Sequence, residues 1–121
     1  SFPTRRSSDL NKEDLAVDLL RMLVDSFADE LTEMQQLIEL EDFPQLEHVL
    51  HRLYGATRYV GAPTLQKVTG GFEQFVSTLR KERRKADENF VQDVLKHFDE
   101  LKAVVEQVEQ AAQQILKQHL N

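Results

Sequence analysis

The chain of 121 residues contains no cysteine and no tryptophan. Without cysteine there is no disulfide to staple the fold and no thiolate to hold a metal ion, and an intracellular setting is permitted. An excess of positive charge is also missing: 15 lysines and arginines face 21 acidic residues, for a formal net charge of −6 at pH 7. This argues against a nucleic-acid binder, because binding to a phosphate backbone depends on lysine and arginine. No apolar run approaches the roughly 20 residues that cross a bilayer, so no membrane-spanning helix is expected, and no secretory signal is visible. Nothing resembles a Walker loop or a glycine box for ATP, so the chain is not expected to use ATP itself. Strand-like alternation is absent as well.

What is there reads as one helical domain. Hydrophobic residues make up 40% and charged ones 30%, a globular rather than disordered balance. The length suits a single core and is too short for a kinase catalytic domain plus a second module. Residues 1–10 are basic, turn-rich and without helical period, and read as a non-native scar or a linker, leaving residues 11–121 as the domain. From Asn11, a plausible cap, Leu15, Leu20, Leu23, Phe27, Leu31, Met34 and Ile38 recur at three-to-four spacing. Residues 39–43 interrupt the pattern, and Pro44 suits the first turn of a second helix, which carries His51. Gly61, Ala62 and Pro63 end that helix and open a third, with an inner stripe of Leu65, Val68, Phe72, Phe75 or Val76, and Leu79. A charged run, residues 80–85, leads out of it. The fourth helix carries Val94, Phe98, Leu101, Val105, Val108, Ala112, Ile115 and His119. At about 30 residues, or some 45 Å, it is long enough to outrun the others, so that its last turns fray or pair with a second copy. Four amphipathic helices with short connections predict an all-α, antiparallel up-down-up-down four-helix bundle.

The second helix holds the chemistry. With about 100° per residue, Leu46, Val49, Leu50, Leu53, Thr57 and Val60 fall on one mostly apolar face. On the same wheel His51, Gly55 and Arg58 lie roughly 120–180° from Leu46, on the wet side. A glycine inside a helix costs about 1 kcal/mol against alanine. Residues four apart are surface neighbours, so the missing side chain at Gly55 leaves a dent beside the imidazole where another molecule can approach. An exposed imidazole is mostly neutral at pH 7, with a ring nitrogen free to attack. A metal centre is the weaker reading of Glu47, His48 and His51, since three ligands on one helix surface do not close a tetrahedral shell. His97 and His119 read as surface or boundary residues. The paired Glu-x-x-His motifs of di-iron bundles are absent.

His51, Leu53, Gly55 and Gly61, at offsets of two, four and ten from the histidine, resemble the motif of the histidine-containing phosphotransfer domains of multistep two-component signalling. With Tyr59 and Pro63 the stretch looks most like the C-terminal domain of this kind in BarA/GacS-type hybrid sensor kinases. The resemblance covers about residues 12–120, and the specific motif lies within 48–66. Two positions depart from the family pattern. Tyr54 stands where the family often has a phosphate-contacting lysine, which turns attention to Arg58 for cationic help. Glu73 stands where the family often has a glutamine that holds the imidazole. If Glu73 accepts from Nδ1, it fixes the tautomer that leaves Nε2 free.

The resemblance implies a phosphotransfer intermediate without kinase activity of its own. His51 accepts phosphate from a receiver-domain aspartate and passes it to a response regulator. It implies receiver domains of a hybrid kinase and of a regulator as partners, with Tyr54, Tyr59, Gln66 and Gly70 on the docking face beside Gly55, Arg58 and Glu73. No cofactor is expected in this chain, magnesium being supplied by the receiver. The isolated domain is expected to be monomeric and cytoplasmic, at the cytoplasmic end of an inner-membrane sensor kinase, without direct membrane contact. A helical receiver-binding adaptor that has lost transfer is the alternative, because Tyr54 replaces the lysine. Gly70 and Gly71, mid-pattern in the third helix, suit close approach of either a partner or a neighbouring helix.

Overall fold

The computed structural model describes residues 12–120, apart from the side chains of residues 12–14, 16, 119 and 120. The readings of residues 1–10, of Asn11 as a cap and of His119 fall outside the described residues. Among the described residues four helices follow one another: α1 (Lys12–Glu39), α2 (Phe43–Thr57), α3 (Pro63–Lys81) and α4 (Glu88–Leu120). Among the described residues there is no strand.

Each boundary has a local cause. After α1 the chain turns through Glu41 at φ +54°, while the amides of Leu40, Glu41 and Asp42 donate to carbonyls of the last turns of α1, as expected where a helix stops in a left-handed residue. Asp42 then caps α2 by accepting from the Gln45 amide at 3.2 Å, and Pro44 occupies the first turn, where its missing N–H costs nothing. Helix α2 stops at Thr57, and Gly61 at φ +69° redirects the chain into Pro63 and α3. That left-handed angle is the reason for a glycine there. Asp87 caps α4, accepting from the Phe90 amide at 2.8 Å.

In space, α1 packs against α2 and α4, and α3 packs against α2 and α4, so each helix has two neighbours around one core. Leu46, Val49, Leu50 and Leu53 of α2 meet Phe27, Met34 and Ile38 of α1, Leu65, Phe72 and Val76 of α3, and Phe90, Val94 and Leu101 of α4 in that core. Phe43 meets Phe90 edge to face at 5.2 Å, and Phe75 stacks on Phe90 at 5.0 Å. Among the described residues three hydroxyl-bearing side chains lie buried, Thr57, Thr69 and Ser77, and each donates to a carbonyl of its own helix. Among the described residues, no buried side-chain polar atom lacks a partner, which removes the main penalty of burying them.

The inner stripe is not continuous to the helix ends. Leu15 is 53% exposed and Ile115 49%, although their spacing matches the core positions of α1 and α4. The reason is length: α1 and α4 have 28 and 33 residues, against 15 for α2 and 19 for α3, or about 42 and 50 Å against 22 and 28 Å. The shorter pair cannot cover the ends of the longer pair. Val17 and Ala112 remain buried. Periodicity shows which side of a helix is apolar, not how far the cover reaches.

Candidate functional site

The apolar stripe of α2 is buried at Leu46, Val49, Leu50, Leu53 and Thr57, and this fixes the rotation of the helix. His51 is thereby turned outward, with its side chain 78% exposed. Its Nδ1 lies 2.8 Å from Oε2 of Glu73, which projects from α3 and is only 20% exposed. With the carboxylate accepting, Nδ1 carries the proton and the lone pair rests on Nε2, on the open side of the ring.

The surroundings of the imidazole are sparse on one side and built up on the other. A Cβ placed on Gly55 would meet nothing within 4 Å, so the approach across α2 is open. On the α3 side a groove of about 510 Å³ runs between the two helices, lined by Glu47, His48, Tyr54, Gly70, Ser77 and Arg80 together with His51 and Glu73. A Cβ on Gly70 would stand 2.8 Å from Cε1 of Tyr54. Gly70 therefore makes room for the Tyr54 ring, a contact between neighbouring helices, while Gly71 faces open space.

Two ion-pair clusters hold α2 in register on both sides. Arg52 donates to Glu30 at 3.0 Å and to Glu33 at 3.2 Å, both on α1. Arg80 of α3 grips Glu47 of α2 through Nε and Nη2. That hydrogen bond is the main reason the Glu47 carboxyl is held below the usual carboxylate range, with the charges of Arg80, Lys81 and His48 adding to it against partial burial. The same contacts push the guanidinium groups of Arg52 and Arg80 further up.

The remaining residues singled out in the sequence are dispersed. Arg58 follows the end of α2 and is exposed. It does not line the groove that holds His51: it keeps helical angles, φ −62° and ψ −26°, but stands two turns, about 10 Å by helical rise, beyond the histidine. Tyr59 is 74% exposed in that turn. Gln66 belongs to a second, adjoining groove with Tyr54, Lys67, Gly70 and His97. His97 is half-buried and stacked between Phe72 and Phe75, at 5.4 and 4.9 Å. The cations that do share the groove with His51 are Arg80 and Lys81. Spacing within one helix could not reveal them, because they reach the site only through the pairing of α3 with α2. Their signal in the sequence is the basic run itself. Among the described residues, no three histidine, cysteine, aspartate or glutamate side chains gather in a way that could hold a metal ion. No described helix is long and apolar enough to cross a membrane.

An outward imidazole, oriented by a carboxylate of the next helix on a four-helix scaffold, defines a histidine-bearing helical module. The chain belongs to the Hpt domain family, which matches residues 18–117. Hpt domains serve histidine phosphotransfer in phosphorelays and interact there with receiver domains. Comparison with curated proteins gives no significant match, and neither does comparison with solved structures.

Proposed function

We propose that His51 is the phosphoacceptor, taking the phosphoryl group from the aspartate of a receiver domain and delivering it to the aspartate of a response regulator. The carrying observation is the contact of Nδ1 with Glu73 at 2.8 Å on a ring that is 78% exposed. Nε2 attacks phosphorus in line, a P–N bond forms, and the P–O bond to aspartate breaks, returning the aspartate as carboxylate. No proton leaves the ring: the phosphorylated imidazole keeps its Nδ1–H and becomes cationic, and the Glu73 carboxylate offsets that charge. Phosphoryl transfer depends mainly on positioning and on stabilising charge. In this reading the receiver brings magnesium and a lysine, while the bundle brings the nucleophile, its orientation and a surface that can be approached.

The helices are arranged up-down-up-down. Support comes from the short connections and from the cross-ties, since Glu47 and His51 of α2 pair with Arg80 and Glu73 of α3 in descending order. Tyr54, Gly55, Tyr59 and the exposed part of α3 around Gln66 and Gly70 form the docking face, with Arg58 at its rim. The C-terminal domain of a BarA/GacS-type hybrid sensor kinase is the setting that the motif around His51 favours.

Incubation with a receiver domain labelled on its aspartate tests the reading. The wild-type chain gains acid-labile phosphate, and His51→Gln gains none while keeping its helicity, because the side chain lies outside the core. Label on the His51→Gln chain would refute the assignment. Stable receiver binding without any label on the wild-type chain would instead favour the adaptor reading, for which Tyr54 in place of a lysine speaks.

A further inference from the structure

Residues 80–85 hold five of the chain's 15 lysines and arginines and one of its 21 acidic residues. The structure uses these cations unequally. Arg80 is committed to Glu47. Arg84 lies over the rings of Phe75 and Phe90, 5.4 and 5.2 Å from their centroids. Lys81, Arg83 and Lys85 are exposed and form no ion pair among the described residues. Lys81 lines the groove in which His51 stands, and the others continue from it into the connection to α4.

The acidic groups within the groove already have partners: Glu47 has Arg80, and Glu73 has the His51 ring. Lys81 is therefore a lining cation with no ion pair among the described residues, and Arg83 and Lys85 outnumber Glu82 beside it, on a chain that is negative as a whole. A donor that presents an aspartyl phosphate, and carboxylates to gather magnesium, is anionic on the face that must meet His51. We infer that Lys81, Arg83 and Lys85 form a steering edge that attracts the anionic phospho-aspartate face of a receiver domain and aligns it along the α2–α3 groove. This rests on the reading of His51 as the acceptor. Lys81 stands eight residues beyond Glu73 on the same helix, about 12 Å by helical rise. That is too far to touch the reacting phosphorus, yet close to the screening length of about 8–10 Å and well within a standard interface. The edge acts on encounter and not on the chemical step.

The test is stopped-flow association of the full chain with a beryllofluoride-activated receiver domain at low and moderate salt, comparing wild type with K81E/R83E/K85E. Arg80 and Arg84 are left in place because they contact Glu47 and the Phe75 and Phe90 rings, and circular dichroism checks that the variant is folded. Wild-type association slows as salt rises; at low salt the variant associates about tenfold more slowly or worse and no longer slows as salt rises, because screening now relieves repulsion. The transfer rate at saturating receiver is unchanged in R83E/K85E, which keeps Lys81 in the groove. The milder pair K81Q/K85Q falls between. Equal association rates and equal salt slopes in wild type and variant would overturn the inference, as would a basic run that retains the chain on phosphatidylserine vesicles without affecting receiver association. Association is read without transfer, so the two readings fail separately. A chain that binds with charge dependence but takes no phosphate removes the acceptor role and leaves the edge. One that takes phosphate with no charge dependence removes the edge. Absence of any receiver association removes both.

Discussion

On the proposed reading, Gly55 puts stability and docking in opposition, and the conflict can be measured. It lies inside α2, where a glycine gives up about 0.5–1 kcal/mol relative to alanine through the entropy of the unfolded chain. The structure offers no steric reason for that cost, because a Cβ built there meets nothing within 4 Å. Gly55→Ala should therefore stabilise the isolated chain by about 0.5–1 kcal/mol, which for a domain of this size raises Tm by roughly 2–5 °C. Gly55→Leu should also fold with full helicity, since its side chain extends into solvent. Transfer should respond in the opposite sense. A methyl group narrows the approach to Nε2 of His51 slightly, whereas an isobutyl group one turn away on the same surface fills it, so uptake from a phosphorylated receiver falls modestly in Gly55→Ala and is lost in Gly55→Leu. Urea denaturation gives the first quantity and phosphate uptake the second. Undiminished transfer by a folded Gly55→Leu chain would refute the idea that this dent is where the receiver enters. A loss of stability in Gly55→Ala would show that the surroundings of Gly55 are not open.

Glu73→Ala should leave His51 in a mixture of tautomers and slow phosphate uptake by roughly 10-fold or more, the usual scale for a positioning partner, whereas Glu73→Gln should retain part of the rate by accepting from Nδ1 through its amide oxygen; ¹⁵N chemical shifts of the ring report the tautomer directly. Gly70→Ala should lose the gain expected of a helical alanine, because its Cβ would stand 2.8 Å from the Tyr54 ring; combining it with Tyr54→Ala should restore that gain, and strict additivity of the two in denaturation would contradict the contact. Glu47→Gln should destabilise the chain at neutral pH. The folded-state pKa of Glu47 is depressed by Arg80, so its contribution is present above the ordinary carboxylate range and is lost as pH falls through the lower folded value. The difference between wild type and Glu47→Gln in thermal melts should shrink below pH 4.5, and a difference that grows on acidification would contradict the sign.

Much of the scaffold is legible in the residue pattern. The four helices, the proline starts of α2 and α3 and the outward turn of His51 follow from period, capping and the buried stripe of α2, all of which are local. Less legible is whatever depends on how far one helix covers another. Leu15 and Ile115 sit in phase with the core and still face water, because α2 and α3 are short. Arg58 keeps the helical phase of His51, as the period predicts, yet it lies two turns further along and does not line the groove. The groove is the clearest case: Ser77, Arg80 and Lys81 lie more than 25 residues from His51 in sequence, and only the register of α3 on α2 brings them to it. Glu73 would be equally invisible to periodicity. It entered through the likeness to a family, where a glutamine stands at the matching place.

His51 and the Glu73 carboxylate that meets its Nδ1 sit 22 residues apart on separate helices. A single-residue slip of α3 along α2 would swing the carboxylate about 100° around its axis and release the ring to rotate. A chain that has collapsed but not yet settled its helix pairing still displays a histidine, though without a preferred lone pair. On the proposed reading, the geometry that frees Nε2 is complete only when α3 has settled in register on α2.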